Sequence, residues 1–180
     1  MPRHNGFATF SADGLYRYEL GGDIGNAPLF SMNAVRQLIL WIMLNPSKAG
    51  AVDGDNTVDK IVRFSERWGF GGVMVGNLYG WISTDPKGMK RAQAQGIDVV
   101  GPGNDAALVR MIAKVRATHG RIMVAWGASA DRARAEAVHL LAGEVYCLAT
   151  NNDGSPVHPL YQREDLQPIL WPGYPKGTMA

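Results

Sequence analysis

Seven apolar residues stand in a row from Leu38 to Leu44, Leu-Ile-Leu-Trp-Ile-Met-Leu, with no polar residue alternating among them. A run of this kind and length is a strand buried on both faces, and such a strand belongs in the middle of a parallel sheet. It stops on Asn45-Pro46-Ser47. Proline cannot donate to a central ladder, while asparagine and serine hydrogen-bond to nearby backbone, so this tripeptide is a turn. In open α/β sheets ligands bind outside the carboxyl ends of central strands. A polar turn placed there is the first candidate for chemistry.

The rest of the chain supplies the elements such a strand requires. Residues 1–14 are polar and read as a loose lead-in. Leu15 to Leu20 alternates as a half-buried edge strand does, and it could pair with the buried strand as a hairpin. Beyond a Gly- and Asp-containing loop, Asn56 or Thr57 is placed to cap a helix carrying Val58, Ile61, Val62, Phe64 and Trp68, closed by Gly69. Val73-Met74-Val75 is a second buried strand, followed by Gly76-Asn77-Leu78-Tyr79. A long connection from Gly80 to Asn104 leads to a helix capped by Asn104 or Asp105. Ile122 to Trp126 is a third strand, Ser129 caps a helix over Ala130–Leu141, and Val145–Ala149 is a fourth strand. The segment after about residue 163, with Pro168, Pro172 and Pro175, reads as irregular.

Strands alternating with helices imply an α/β fold, three-layer α/β/α with a mostly parallel central sheet. The strand ends at Asn45, Asn77, Trp126 and Ala149 then share one rim. With 180 residues the chain is expected to be a single domain with its core over about 15–163. One cysteine, Cys147, excludes a disulfide framework and four-cysteine metal or iron–sulfur sites within one chain, and its apolar run makes it an inert core residue. No signal-peptide core and no run of roughly 18 apolar residues is present, so a cytoplasmic protein without membrane contact is expected. A formal charge of +2 neither requires nor excludes nucleic acid.

Several short motifs, in order, carry a resemblance: LNPS at 44–47, RWGFGG at 67–72, GNL at 76–78, DP at 85–86, GPGND at 101–105, AWG at 125–127 and DGSPVHPLY at 153–161. Together they resemble the bacterial and phage family of domain of unknown function 1643, over about residues 15–163. That family brings no established activity. A more distant likeness is to the uracil-DNA glycosylase superfamily. Its members carry an Asn-Pro-Gly or Asn-Pro-Ser-like motif after the first core strand, an Asn ending the next, and His-Pro-Ser near an aromatic after the last. Asn45-Pro46-Ser47, Asn77 and His158-Pro159-Leu160-Tyr161 fall in that order. The chain departs from the pattern at Met43-Leu44 before the Asn, at Leu160 in place of serine, and in lacking paired cysteines.

This likeness implies cleavage or recognition at an N-glycosidic bond. In cleavage the base leaves as an anion and water attacks the sugar, so oriented dipoles and one donor to the leaving base suffice. Asn45 would hold the water through its amide oxygen, and His158 would donate to the base. Asn77 offers both a donor and an acceptor to a pyrimidine edge. A base in a duplex would first be flipped out. Pro46 and Ser47 would line the binding site, and Tyr79, Trp126, Tyr161 or Trp81 could contact or stack on the base. The partner implied is a nucleic acid or nucleotide, and no cofactor is required.

Plainer readings stand beside these. Asn45 can serve only to start an Asx turn before Pro46, Asn77 to cap backbone groups, His158 to hold its proline-stiffened loop, and Trp126 to fill the core. Asp55 is a reserve general base, and with Asp53 and Asp59 it suggests magnesium binding and metal-assisted hydrolysis. Those residues do not fit a calcium loop, whose twelfth position from Asp53 is Phe64. Lys48, Arg63, Arg67, Lys87, Lys90 and Arg91 form either a phosphate-binding surface or a solvated face. Gly101-Pro102-Gly103 lacks the Lys and Ser/Thr of a P-loop. An enzyme and a non-catalytic binding protein both remain open at this level.

Overall fold

A computed structural model of the chain describes residues 4–25, 36–47, 56–83 and 86–175. Among them seven strands form one sheet: β1 (His4–Phe10), β2 (Arg17–Asp23), β3 (Leu38–Met43), β4 (Gly72–Asn77), β5 (Arg121–Val124), β6 (Tyr146–Cys147) and β7 (Ile169–Leu170). Four α-helices accompany it, α1 (Asn56–Arg67), α2 (Pro86–Ala94), α3 (Asn104–Ala117) and α4 (Arg132–Ala142). The strand order is β1-β2-β4-β3-β5-β6-β7. The sheet is mixed: β4, β3, β5 and β6 run parallel, and antiparallel strands flank them on both sides. No helix among the described residues is long and apolar enough to cross a membrane.

Burial explains why the apolar run becomes β3. Residues 39–42 are fully inaccessible, and alternate side chains enter different clusters. Leu40 and Ile42 share one with Leu108 and Met111 of α3 and Val138 of α4. Ile39, Trp41 and Met43 share the other with Val58, Ile61 and Phe64 of α1. Trp41 stacks on Trp68 at a centroid distance of 5.8 Å and donates its indole N–H to Ser65 Oγ at 3.0 Å. That hydroxyl in turn donates to the Ile61 carbonyl. A polar group placed in the core is thereby satisfied by one turn of α1.

Four sequence expectations are corrected. β2 does not pair with β3 as a hairpin, because β4 and β5 occupy both edges of β3; β2 pairs with the far edge of β4. Nor is β2 an edge strand or residues 4–10 a loose lead-in, since β1 covers its outer side. Phe7 of β1 lies across Gly21, where an added Cβ would come within 2.8 Å of the ring. The missing side chain of one strand is thus replaced by an aromatic from the next. Third, Asp131 rather than Ser129 caps α4, accepting from the Arg134 N–H, and α3 has no side-chain cap at all. Finally, the C-terminal segment is partly ordered into the sheet as β7, and it delivers Trp171 to the core at 2% exposure.

Replacing Trp41 with alanine removes a fully buried indole, its stack on Trp68, its tilted contact with Phe64 and the partner of Ser65. A loss of about 3–5 kcal/mol is expected in urea unfolding, and a change below about 1 kcal/mol would contradict this packing. Cys147 is completely buried, and burial pushes its thiol up to about 11. Iodoacetamide at mildly alkaline pH should leave it unmodified in the native protein and alkylate it once urea is added; rapid native labelling would contradict its placement.

Candidate functional site

The parallel strands β3, β4 and β5 all end at one rim. From β3 the chain passes through α1 to β4 on one side, whereas from β5 it passes through α4 to β6 on the other. The connections therefore diverge between β3 and β5, the arrangement that opens a crevice at the carboxyl ends. A cavity of about 370 Å³ lies there, within the roughly 300–1,000 Å³ usual for small-molecule sites. Its lining includes Asn45, Ser47, Asn77, Trp126 and His158, so five of the expected residues come together.

Each is held by a local device. Asn45 follows β3 and uses its amide nitrogen twice, donating to the Ser83 carbonyl at 2.7 Å and the Pro46 carbonyl at 3.2 Å. Both bonds fix which end of the side chain is nitrogen, leaving Oδ1 as the acceptor. The Pro46 carbonyl also accepts from the Ser83 N–H, so two loops are laced across the buried proline. Asn45 thus holds its loop through the amide nitrogen, not through an Asx turn, in which Oδ1 would accept from a following backbone N–H. Asn77 ends β4 opposite Met43 and is only 3% exposed. Its side-chain amide makes no hydrogen bond among the described residues, although it lines the cavity.

His158 arrives on a loop that is bonded to itself. Asp153 accepts from the backbone N–H and hydroxyl of Ser155, and Asn151 donates to the Ser155 hydroxyl. These bonds, first the hydroxyl and then the backbone N–H, hold the Asp153 carboxyl below its ordinary value. The loop joins the β5 end through the Gly127 N–H on the Pro156 carbonyl. Gly127 adopts φ 73°, and its Cα side faces His158 Cβ, the nearest atom to any side chain placed there. The imidazole caps the short 3₁₀ turn Pro159–Tyr161, Nδ1 accepting from the Leu160 N–H at 3.4 Å. An accepting Nδ1 puts the proton of the neutral ring on Nε2, which is then a donor.

The remaining expected residues lie elsewhere. Tyr79 is 3% exposed and lines a neighbouring cavity with Met89, Gln93 and Asp131. Burial raises its phenol above the ordinary value, so it stays neutral. Tyr161 is 87% exposed and lines neither cavity. Trp126 is 1% exposed, packed edge-on to Trp171 and donating to the Tyr174 hydroxyl, so it fills the core behind the cavity it lines. Asp53 and Asp55 lie outside the described residues. Among the described ones no group of three or more His, Cys, Asp or Glu is placed to hold a metal ion. Of the basic residues expected to share a surface, Arg63 pairs with Glu164, Arg67 donates to the Glu164 carbonyl and Lys90 lines the Tyr79 cavity, whereas Lys48 and the Lys87 side chain lie outside what is described.

Two residues that the sequence did not assign to the site shape it. Arg17 of β2 is 4% exposed and lines the cavity, its Nη1 reaching the Ser47 carbonyl at 3.5 Å. Recognition of β1 as a strand would have made β2 internal and this arginine buried. Asn104, expected as a helix cap, is fully buried and donates instead to the carbonyls of Asn77 and Leu78 at 3.0 and 3.2 Å. It anchors the end of β4 directly beneath Asn77. Arg134 reaches the same Leu78 carbonyl at 2.9 Å. Asn104→Ala should lower stability by about 1–3 kcal/mol through the unmet carbonyls, read by chemical denaturation; unchanged stability would contradict the anchor.

Neither a curated protein nor a solved structure matches the chain. The family model described as "Protein of unknown function (DUF1643)" matches residues 29–160. That span holds Asn45, Asn77, Asn104, Trp126 and His158, and it exceeds half of the sequence. The motif order first seen in the sequence and this match agree: the chain belongs to the DUF1643 family.

Proposed function

We propose that this protein recognises a nucleobase or nucleotide in the cavity at the ends of β3, β4 and β5, and that it acts as an N-glycosylase releasing an altered base from DNA. The reading takes the fold as three-layer α/β/α and similar to uracil-DNA glycosylases. The two apolar clusters on alternate residues of β3 support that layering. The observation that carries the proposal is the convergence of Asn77, at the end of β4, with Asn45 and His158, from two separate loops, on one cavity.

The chemistry follows from the groups present. Asn45 Oδ1 accepts a hydrogen bond from the attacking water and aligns it. His158, protonated on Nε2 when neutral, donates to a base oxygen as negative charge gathers there. Asn77, on the cavity wall, presents a carboxamide able to donate and accept at a base edge. Asp55 remains the candidate general base.

A second reading, binding without catalysis, is favoured by one feature: Asn45 and His158 each also hold their own loop. Incubation with oligonucleotides carrying uracil, hydroxymethyluracil and other altered bases, with detection of free base and abasic sites, separates the two. Catalysis predicts release that falls by about 10²-fold or more in His158→Ala and Asn45→Ala while the fold is kept. No release from any substrate by well-folded protein, with base or nucleotide still bound, establishes the binding reading instead.

A further inference from the structure

Recognition of one base leaves the cavity beside it unused. That second cavity holds about 530 Å³, against about 370 Å³ for the first, so each is large enough for a unit of small-molecule size. The two share both of their walls. At the end of β4, Asn77 lines the first cavity and Tyr79, two residues on, lines the second. In the loop between β5 and α4, Gly127 and Ala128 line the first, Ala130 and Asp131 line the second, and Ser129 lines both. Two chain segments therefore run side by side from one compartment into the next, with the exposed Ser129 on the ridge between them. The outer wall of the second compartment is α2, through Met89, Lys90, Gln93 and Ala94. This helix lies within the long connection from Gly80 to Asn104, a length of chain that usually has a function of its own.

The second compartment is lined for a molecule that is part apolar and part polar. Met89, buried at 2% exposure, and Ala130 give it apolar surface, and Tyr79 adds a phenol that burial keeps neutral. Gln93 is exposed and its carboxamide can both donate and accept, while the exposed ammonium of Lys90 adds positive charge. The carboxylate of Asp131 is engaged in capping α4 through the Arg134 N–H. We propose that this cavity receives the nucleotide next to the one whose base enters the first cavity, so that the ligand is a strand of at least two linked nucleotides. The linking phosphodiester crosses the ridge at the Ser129 hydroxyl, and Lys90 favours the backbone charge beyond it. This rests on the nucleobase reading of the first cavity. A single nucleotide can fill only one compartment, whereas a strand gains from the second without losing the freedom of a separate molecule.

Titration calorimetry on the full chain tests this, using deoxynucleoside monophosphates, the matching triphosphates, and the dinucleotides and trinucleotides built from them. A dinucleotide should bind about tenfold or more tighter than either monophosphate it contains. It should also bind tighter than the triphosphates, which place more charge on a single nucleoside. Ala94, exposed at the end of α2, allows the second cavity to be filled without disturbing the core. Ala94→Trp should abolish the gain of the dinucleotide and leave monophosphate affinity unchanged, and Lys90→Ala should lower the gain and its dependence on salt. Monophosphate binding with no gain for the dinucleotide overturns the second subsite and leaves base recognition standing. A gain matched by the triphosphates, or one that persists in folded Ala94→Trp, has the same result. No binding by any probe overturns both. A gain that Ala94→Trp removes, with no preference among bases in any probe, upholds the subsite and refutes base recognition. The comparison of probes on the wild-type protein decides even if a variant fails to fold.

Discussion

The site depends on β3 being hydrogen-bonded on both edges by parallel neighbours. Register ties Met43 to Asn77 on one side and Ile42 to Val124 on the other. Three strands therefore run out within a residue or two of one another, and their following loops are forced into the same space. The ladder continues a little past the strands, through the Leu78 and Tyr79 N–H groups on the Met43 and Leu44 carbonyls and the Ala125 N–H on Ile42. The positions of Asn45, Asn77 and Trp126 are thus consequences of backbone pairing. Only His158, brought from beyond β6, depends on a loop with its own internal bonding.

The motif residues that carry the resemblance divide between this rim and its supports. Gly101 adopts φ 86° beside the Tyr16 ring, which any Cβ would strike at 2.5 Å, and Asp98 accepts from the Val100 and Gly101 N–H groups. The Gly-Pro-Gly segment is therefore a turn packed on Tyr16 and Tyr18 at the start of β2, and Asn104 immediately after it secures the end of β4. The Asp-Gly-Ser-Pro segment plays the same part for His158. Trp171 donates to the Gly154 carbonyl at 3.0 Å, joining that loop to the tail. Much of what makes the sequence recognisable holds polar groups in place without touching the cavity.

What was legible in the sequence followed burial. The run 38–44 and the apolar spacings of α1, α3 and α4 announced themselves because each element is immersed in one of two large clusters. β1 did not, since Phe7 and Phe10 remain 39% and 44% exposed and its role is to shield the strand beside it. That omission also concealed Arg17, which between Tyr16 and Tyr18 reads as the solvent side of an amphipathic edge. Caps were misassigned for a related reason: Asn104 has the composition of a cap, but tertiary hydrogen bonds outcompeted the local one. Asn45, Asn77 and His158 were legible because strand ends in a parallel sheet share a rim, whereas Tyr79 and Tyr161 were not placed by that rule.

The tryptophans are distributed in a way that has an optical consequence. Trp41 and Trp68 stack in the cluster beneath α1, so their emission reports whether that cluster is assembled. Trp126 lines the cavity and stands edge-on to Trp171, with Tyr174 completing the group. Emission from this second set is sensitive to whatever displaces solvent next to Trp126. Apart from Trp81, which stands edge-on to Tyr16, the tryptophans therefore form two sets, one answering to folding and one to occupancy, with no label attached.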